Sequence, residues 1–202
     1  SAAMKSSQST GEQHVNPNYI NNGIGDSLYN NFFDLKTYTG ALTYRTGRLK
    51  MYGRGGVDYR DFNAKYFYTP FGSDESVERV QSYWTQAAFI FDGHDDSRTE
   101  LSISYRNNSD SFTFNPAFAA NVHTTQRVNA TLSQQRKIGT FNLSYGFQSD
   151  WQDIISTDRG DHNLTSNAVF VIAHKKINNL SLNGGLRLEQ SEKIGVQLVP
   201  QI

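Results

Sequence analysis

The sequence predicts an all-β protein: an antiparallel up-and-down meander of about eight strands that forms a segment of a transmembrane β-barrel. Apolar and polar residues alternate in stretches of about ten residues, the period of a strand with one apolar and one polar face. Short turns alternate with long connections, so that each kind gathers at its own rim of the sheet. The short turns lie near residues 47, 95, 137 and 176, and the long connections near residues 72, 115 and 156. This asymmetry is the rule in outer-membrane barrels.

Four hairpins account for the regular part of the chain. They pair residues 37–44 with 49–59, 83–91 with 99–105, 127–133 with 140–148, and the two arms of 168–189. In the last hairpin we expect Leu180, Leu182, Leu186 and Leu188 to face lipid, with Arg187 and Glu189 toward the lumen. Its tight turn at Lys175 and Lys176 then belongs on the periplasmic side. Residues 194–202 look like the start of a further strand.

The N-terminal segment lacks this regularity. The first four residues, SAAM, resemble a tag, and residues 5–30 are rich in Ser, Asn, Gln and Gly without a sustained period. We therefore expect residues 1–32 to be a tag and a disordered tail or loop, and residues 33–202 to be a partial β-barrel domain.

Composition excludes several functional classes. The chain of 202 residues has 19 basic and 19 acidic residues, so no overall field favours nucleic acid. It has no cysteine, which excludes disulfides, thiolate metal sites and cysteine nucleophiles. Apolar runs of about 18 residues, as a membrane helix needs, are absent, but barrel strands are shorter and alternate.

The alternation leaves one alternative open, because a soluble β-barrel or β-sandwich binding module alternates in the same way. The two differ in where the apolar stripe points. In a soluble domain, Leu180, Leu182, Leu186 and Leu188 would line a closed core, whereas in a membrane barrel they would face outward.

Three stretches resemble the barrel of TonB-dependent outer-membrane transporters, and the cobalamin (vitamin B12) transporter subfamily in particular. They are GRGGVDYRDFNAKYFYTPFGSDESVERVQSYWTQAAFIF (53–91), YGFQSDWQDI (145–154) and NNLSLNGGLRLEQSEKIGVQLVPQI (178–202). The resemblance covers residues 33–202. It implies an outer-membrane receptor that imports a bulky scarce nutrient such as cobalamin or a metal chelate. It also implies TonB as a partner through a plug domain, which we expect to be absent from this sequence. The open sheet edges would then have to be covered, for example by pairing with another chain.

Two acidic residues are candidates for a calcium site. Asp58 and Asp61 lie where a strand enters a long loop, and hard cations prefer carboxylate clusters. The resemblance implies outer loops that bind calcium. Arg60 lies between the two acids and could neutralise them, so solvated strand-end charges are the alternative.

Two aromatic clusters are candidates for the ligand-binding loops, because rings supply a large contact area with few rotamers. The alternative is an aromatic girdle at the lipid interface, or packing within the loops. The candidates are Tyr66, Phe67, Tyr68, Phe71, Phe112, Phe114 and Phe118.

No catalytic arrangement stands out, so we expect no enzyme. The five histidines are scattered, without a pair at metal-ligand spacing. Neither a Gly-x-Ser-x-Gly elbow nor a phosphate loop occurs in the sequence. Calcium is the one cofactor that the sequence suggests.

Overall fold

The computed structural model of the protein describes residues 1–23, 26–69 and 71–201. Its main sheet contains ten strands in these residues, all antiparallel, and a small hairpin and a short helix complete the fold. The elements are β1 (Ala2–Ser9), β2 (Gln13–Val15), α1 (Pro17–Asn22), β3 (Leu28–Asn30), β4 (Phe33–Thr46), β5 (Leu49–Asn63), β6 (Val77–Asp92), β7 (Arg98–Thr113), β8 (Asn121–Ile138), β9 (Phe141–Ser156), β10 (His162–Ile177), β11 (Leu180–Ser191) and β12 (Gly195–Gln201).

The order in the main sheet is β1, then β4 through β12 in sequence. The predicted antiparallel meander is therefore confirmed, and the four predicted hairpins are β4–β5, β6–β7, β8–β9 and β10–β11. The small hairpin pairs β2 with β3. Among the described residues, no helix is long or apolar enough to cross a membrane.

Each tight turn contains one residue with positive φ, the left-handed conformation that reverses the chain in short hairpins. These residues are Gly47 (φ 53°), Asp96 (φ 51°), Gly139 (φ 58°) and Asn178 (φ 52°). Glycine adopts this conformation without a steric cost, and Asn and Asp tolerate it better than other side chains. The turns thus set the register of the hairpins.

The strands from β4 to β11 are 12 to 18 residues long, longer than the predicted ten or so. They extend into the predicted connections, and the third of these shrinks to residues 157–161. The other two long connections remain, as residues 64–76 and 114–120. The rims are therefore asymmetric, with the longest loops opposite the tight turns.

The N-terminal segment differs from the expectation of a disordered tail. Ala2–Ser9 forms β1 and pairs with β4, from Ala2 opposite Gly40 to Ser9 opposite Phe33. The stretch has one large apolar residue, Met4, so backbone hydrogen bonds rather than side-chain alternation hold it to the sheet. At the other end, Gly195–Gln201 forms β12, the strand that the sequence predicts there, whereas Ile202 lies outside the described residues.

One face of the sheet is apolar. Residues directly opposite each other in antiparallel strands share a face. One such row crosses nine strands and is apolar or aromatic at every position: Tyr44, Met51, Phe89, Leu101, Leu132, Phe147, Val169, Leu188 and Leu198. We call this row and its apolar neighbours on the same face the apolar band.

The opposite face is polar and more crowded. Every strand residue of the main sheet that is buried points to this polar face: Ser82, Ala88, Ile90, Ser156, Ala168 and Ser191. Side chains converge on the concave side of a curved sheet, so the crowding identifies the polar face as the concave one. In contrast, Leu180, Leu182, Leu186 and Leu188 are between 45% and 57% exposed. The apolar band therefore lies on the outside of the sheet.

Candidate functional site

The loop of residues 64–76 is organised by one buried carboxylate. Asp74 is fully buried. Its Oδ2 accepts a hydrogen bond from the Tyr66 backbone N–H at 2.8 Å, and its Oδ1 accepts the Ser76 N–H at 2.9 Å as well as the Ser76 hydroxyl. A buried charge is tolerated only when such hydrogen bonds replace water. The carboxylate thus holds both ends of the loop, of which Pro70 lies outside the described residues.

Tyr66 adopts a left-handed backbone conformation, with a φ of 61°. This conformation is unusual for a residue with a large side chain. Its ring packs edge-on against Tyr29 of β3, with 5.0 Å between the centroids and an interplanar angle of 82°. The Tyr29 ring in turn lies 5.6 Å from that of His14 in β2. The small hairpin is therefore attached to the loop through aromatic rings.

Tyr68 connects the same loop to the polar face of the sheet. Its hydroxyl donates a hydrogen bond to Glu78 Oε2 at 2.7 Å. The pKa of Tyr68 is raised to about 12, mainly because of this hydrogen bond and secondly because the hydroxyl is partly removed from water. Its ring contacts Phe67 and Phe112 in two edge-on pairs, at centroid distances of 4.8 and 5.2 Å. Tyr68 therefore remains a neutral donor at physiological pH.

The two longest loops are joined by hydrogen bonds. The Glu75 N–H donates to the carbonyl of Phe114 at 3.0 Å, and the Asn115 side-chain amide donates to the carbonyl of Ser73 at 2.8 Å. These bonds link residues 64–76 to residues 114–120. We call the two linked loops the loop pair.

The structure brings together some of the predicted aromatic residues. Tyr66, Phe67, Tyr68 and Phe112 lie at one rim, and Phe114 joins the loop pair through its carbonyl. Phe71 and Phe118 are 67% and 64% exposed and make no ring contact with another described residue. Whether these side chains contact a ligand remains a prediction.

A cavity of about 520 Å³ opens beside Tyr68 on the polar face. Its lining includes Glu78, Asp110, Phe112, His123, Asp158 and Arg159. Phe112 is among the predicted ligand-binding residues, whereas Glu78, Asp110 and His123 could not be recognised from the sequence. They come from three strands, and only the register places Asp110 opposite His123.

A polar cluster borders this cavity. His123 Nδ1 lies 2.7 Å from Ser156 Oγ and 3.6 Å from Asp158 Oδ1, and Ser156 Oγ donates to Asp158 Oδ1 at 2.9 Å. In a catalytic triad, the serine and the acid contact opposite nitrogens of the histidine. Here both approach the same nitrogen, so the cluster lacks the triad geometry. It does hold the end of β9 against β8.

The two calcium candidates lie apart. Asp58 and Asp61 are three residues apart on β5, so their side chains point to opposite faces. Asp58 accepts a hydrogen bond from Thr37 Oγ1 at 2.8 Å, and Asp61 accepts one from Arg79 Nε at 3.2 Å. No group of three or more His, Asp or Glu suited to a metal ion occurs in residues 1–23, 26–69 and 71–201. This geometry does not allow the two carboxylates to share an ion.

Comparison with known proteins gives a match at the level of structure. No family model matches the chain, and no curated protein matches it in sequence. The fold is that of a segment of a β-barrel wall. One similar solved structure is the siderophore receptor PirA from Pseudomonas aeruginosa, with a TM-score of 0.65 and 13% sequence identity. The match covers 84% of this chain but 30% of that receptor, so the chain spans under a third of its length.

Proposed function

We propose that the chain is part of a TonB-dependent outer-membrane receptor that imports a bulky scarce nutrient, such as cobalamin or a metal chelate. The apolar band is the observation that carries this proposal. It is continuous across nine strands and exposed on the convex side, where a membrane barrel meets lipid.

The height of the apolar band fits a bilayer. On β11 the band runs from Leu180 to Leu188, roughly 26 Å along the strand, which is roughly 20 Å along the barrel axis at the usual strand tilt of about 35–45°. The outward apolar band of an outer-membrane barrel is about 25 Å tall. On the same face, the next row after Leu188 is polar across three strands, with Ser149, Asn167 and Gln190 directly opposite one another. On β9, β10 and β11 the band therefore ends at this row, whereas on β7 and β8 it continues through Ile103 and Ala130.

The lengths of the loops indicate the orientation of the proposed barrel across the membrane. In outer-membrane barrels the short turns lie in the periplasm and the long loops outside the cell. This rule assigns the tight turns, including the one at Asn178, to the periplasm and the loop pair to the outer surface. The aromatic residues of the loop pair would then meet the nutrient first, and TonB would act through a plug domain on the concave side.

The alternative of a soluble binding module has less support. It requires Leu180, Leu182, Leu186 and Leu188 to line a closed core, whereas these side chains are about half exposed. The likeness to a receptor barrel, which covers 84% of the chain, also favours the membrane protein.

Fractionation of bacteria that produce the full-length protein containing this chain tests the proposal. We expect the protein in the outer-membrane fraction, released by detergent but not by high salt or alkaline carbonate. We also expect heat-modifiable migration in gels, as for a closed barrel. Recovery of the folded protein from the soluble fraction without detergent would overturn the proposal.

A further inference from the structure

Two arginines face each other in the middle of the polar face, and the chain compensates only one of them. Arg106 of β7 lies directly opposite Arg127 of β8, and both side chains are exposed. Arg127 forms an ion pair with Asp150, with Nη2 2.9 Å from Oδ2, and its Nε donates to both carboxylate oxygens. In the part of the chain that the structure describes, Arg106 has no hydrogen bond, ion pair or ring contact. Like charges in directly opposed positions destabilise a sheet unless other groups compensate them.

The surroundings of Arg106 carry an excess of positive charge. Trp84 of β6 lies directly opposite it, and the Arg54 Cζ lies 5.8 Å from the Trp84 ring centroid. Asp58 is the one acid among the described residues that line the pocket around Arg106, and its carboxylate accepts the Thr37 hydroxyl at 2.8 Å. Three arginines therefore stand against two acids in this part of the sheet.

This excess matters once the polar face is covered. In the proposed receptor the concave side surrounds a plug domain, which would take Arg106 out of water. A guanidinium keeps its charge in proteins. A charge that loses its water is strongly unfavourable unless an opposite charge and hydrogen bonds replace the water. Because the sheet supplies no such group to Arg106, the covering domain has to supply it.

The sheet leaves room for a side chain of that domain. Arg106 and Trp84 line a pocket of about 590 Å³, which we call the wall pocket. A Cβ atom at Gly56 would come within 2.9 Å of the indole, so the glycine lets the ring lie close to the sheet. Amides of Gln86 and Gln148 also line the wall pocket. Tryptophan and arginine are enriched at protein–protein interfaces, so this lining suits a protein surface.

We propose that an aspartate or glutamate of the plug domain enters the wall pocket and forms an ion pair with Arg106. The planar fork of a guanidinium matches the two oxygens of a carboxylate, and the plug chain beside that acid would pack on Trp84. The inference rests on the proposed function and deepens it, because it names the chemistry by which the wall holds the plug.

Carbodiimide coupling in outer membranes that contain the full-length protein tests the ion pair. The reagent activates a carboxylate and joins it to an amine in direct contact, forming an amide with the loss of water. Arg106→Lys supplies that amine and keeps the positive charge. After proteolysis and mass spectrometry, we expect an amide between position 106 and an aspartate or glutamate of the plug domain.

Arg127→Lys is the matched control for the coupling. It lies directly opposite Arg106, and its partner in the wall is Asp150. We expect it to couple to Asp150, which shows that the reagent reaches this part of the lumen. Coupling of Arg106→Lys only to wall acids such as Asp58 or Asp150, or to a second copy of the chain, would overturn the inference. So would the absence of coupling where the control couples.

Hydrogen exchange of the same full-length protein gives a second, independent test. We expect Arg106→Gln to speed amide exchange in the coupled plug segment about tenfold or more, because a hydrogen bond to a charged group contributes about that much. Arg98→Gln is the control, since Arg98 lies on the same face near the tight-turn rim and pairs with Glu100. Exchange in the plug that Arg106→Gln leaves unchanged would overturn the inference.

A charge swap separates an ion pair from a general effect on the fold. We expect Arg106→Glu to speed exchange in the plug, and an arginine in place of the coupled acid to restore slow exchange in that variant. Heat-modifiable migration checks that each variant still forms its barrel.

The ion pair and the proposed function fail in different ways. Protein in the outer-membrane fraction without the coupling would overturn the ion pair and leave the receptor standing. Recovery of the full-length protein from the soluble fraction would overturn the receptor before any coupling is measured.

Discussion

The Asp74 carboxylate accepts the backbone N–H of Tyr66, eight residues earlier, and so closes the first long loop of the sheet. The Tyr66 residue that it holds is left-handed and carries the ring that contacts Tyr29. A single buried acid therefore determines both the backbone of the loop and the position of its first aromatic ring.

Replacement of Asp74 should loosen this loop without unfolding the sheet. We expect Asp74→Ala to leave the Tyr66 and Ser76 amides unpaired, at a cost of about 1–3 kcal/mol for each buried group without a partner. Hydrogen exchange should show faster exchange at residues 64–76 and unchanged protection in β8 and β9. Asp95→Ala, an exposed acid in a tight-turn connection, is the control. Unchanged exchange at Tyr66 would contradict the role of Asp74.

Arginine substitutions at two adjacent residues of β8 should differ in their effect on stability, because the two side chains lie on opposite faces of the sheet. Leu132 lies in the apolar band, and Thr131 is its neighbour on the polar face. We expect Leu132→Arg to destabilise the proposed membrane barrel by about 1 kcal/mol, the cost of arginine on a lipid-facing position near the edge of the apolar band. Thr131→Arg should cost much less, because on the lumen side of the proposed barrel the charge would stay hydrated. Urea unfolding in lipid vesicles measures both, and equal destabilisation would contradict the orientation of the sheet.

Tyr68 should ionise later than an ordinary tyrosine. Its pKa is raised to about 12, first by the hydrogen bond that its hydroxyl donates to Glu78. The raised pKa means that the neutral form stabilises the folded state, fully below pH 10 and progressively less as the pH rises from 10 to 12. The difference in 295-nm absorbance between the wild type and Tyr68→Phe should titrate near pH 12. Glu78→Gln should move this titration toward pH 10, and a midpoint near 10 in the wild type would contradict the bond.

Gly56 should resist substitution, whereas Gly53 on the same strand should not. A Cβ at Gly56 would meet the Trp84 indole at 2.9 Å, and a Cβ at Gly53 would meet nothing within 4 Å. We expect Gly56→Ala to displace the indole and to cost about 1–3 kcal/mol through overpacking. The emission of Trp84 in the Trp151→Phe background reports the displacement. The same emission for Gly56→Ala and Gly53→Ala would show that the ring does not lie against the wall.

The hairpins from β4 to β11 could be predicted because their signals are local. Alternation marks each arm, and Gly47 and Gly139 mark two of the turns. β1 was missed because it has no alternation and depends on partners 24 to 38 residues away. The length of β8 was underestimated because residues 121–126 are mostly polar on both faces, which removes the period.

The candidate site was predictable in part. Tyr66, Phe67 and Tyr68 are consecutive, so their loop could be recognised, but Glu78 and His123 join it only through strand register. The prediction that Asp58 and Asp61 form one calcium site rested on their short distance along the chain. It overlooked that residues three apart on a strand point to opposite faces of the sheet. Asp61 lies directly opposite Asp34 on β4 and Arg79 on β6, relationships that need the register of the three strands. Asp74 resembles any loop acid until its burial is known.

The pairing of each strand with its neighbour in sequence also has a consequence for folding. From β4 to β12 every pair joins consecutive strands, and in the main sheet only β1 with β4 spans intervening elements, namely β2, α1 and β3. Contacts this local favour rapid closure, since little chain entropy is lost before each pair forms. The sheet can therefore grow one hairpin at a time along the chain. A defect in one turn would stop growth at that strand and leave the earlier hairpins intact.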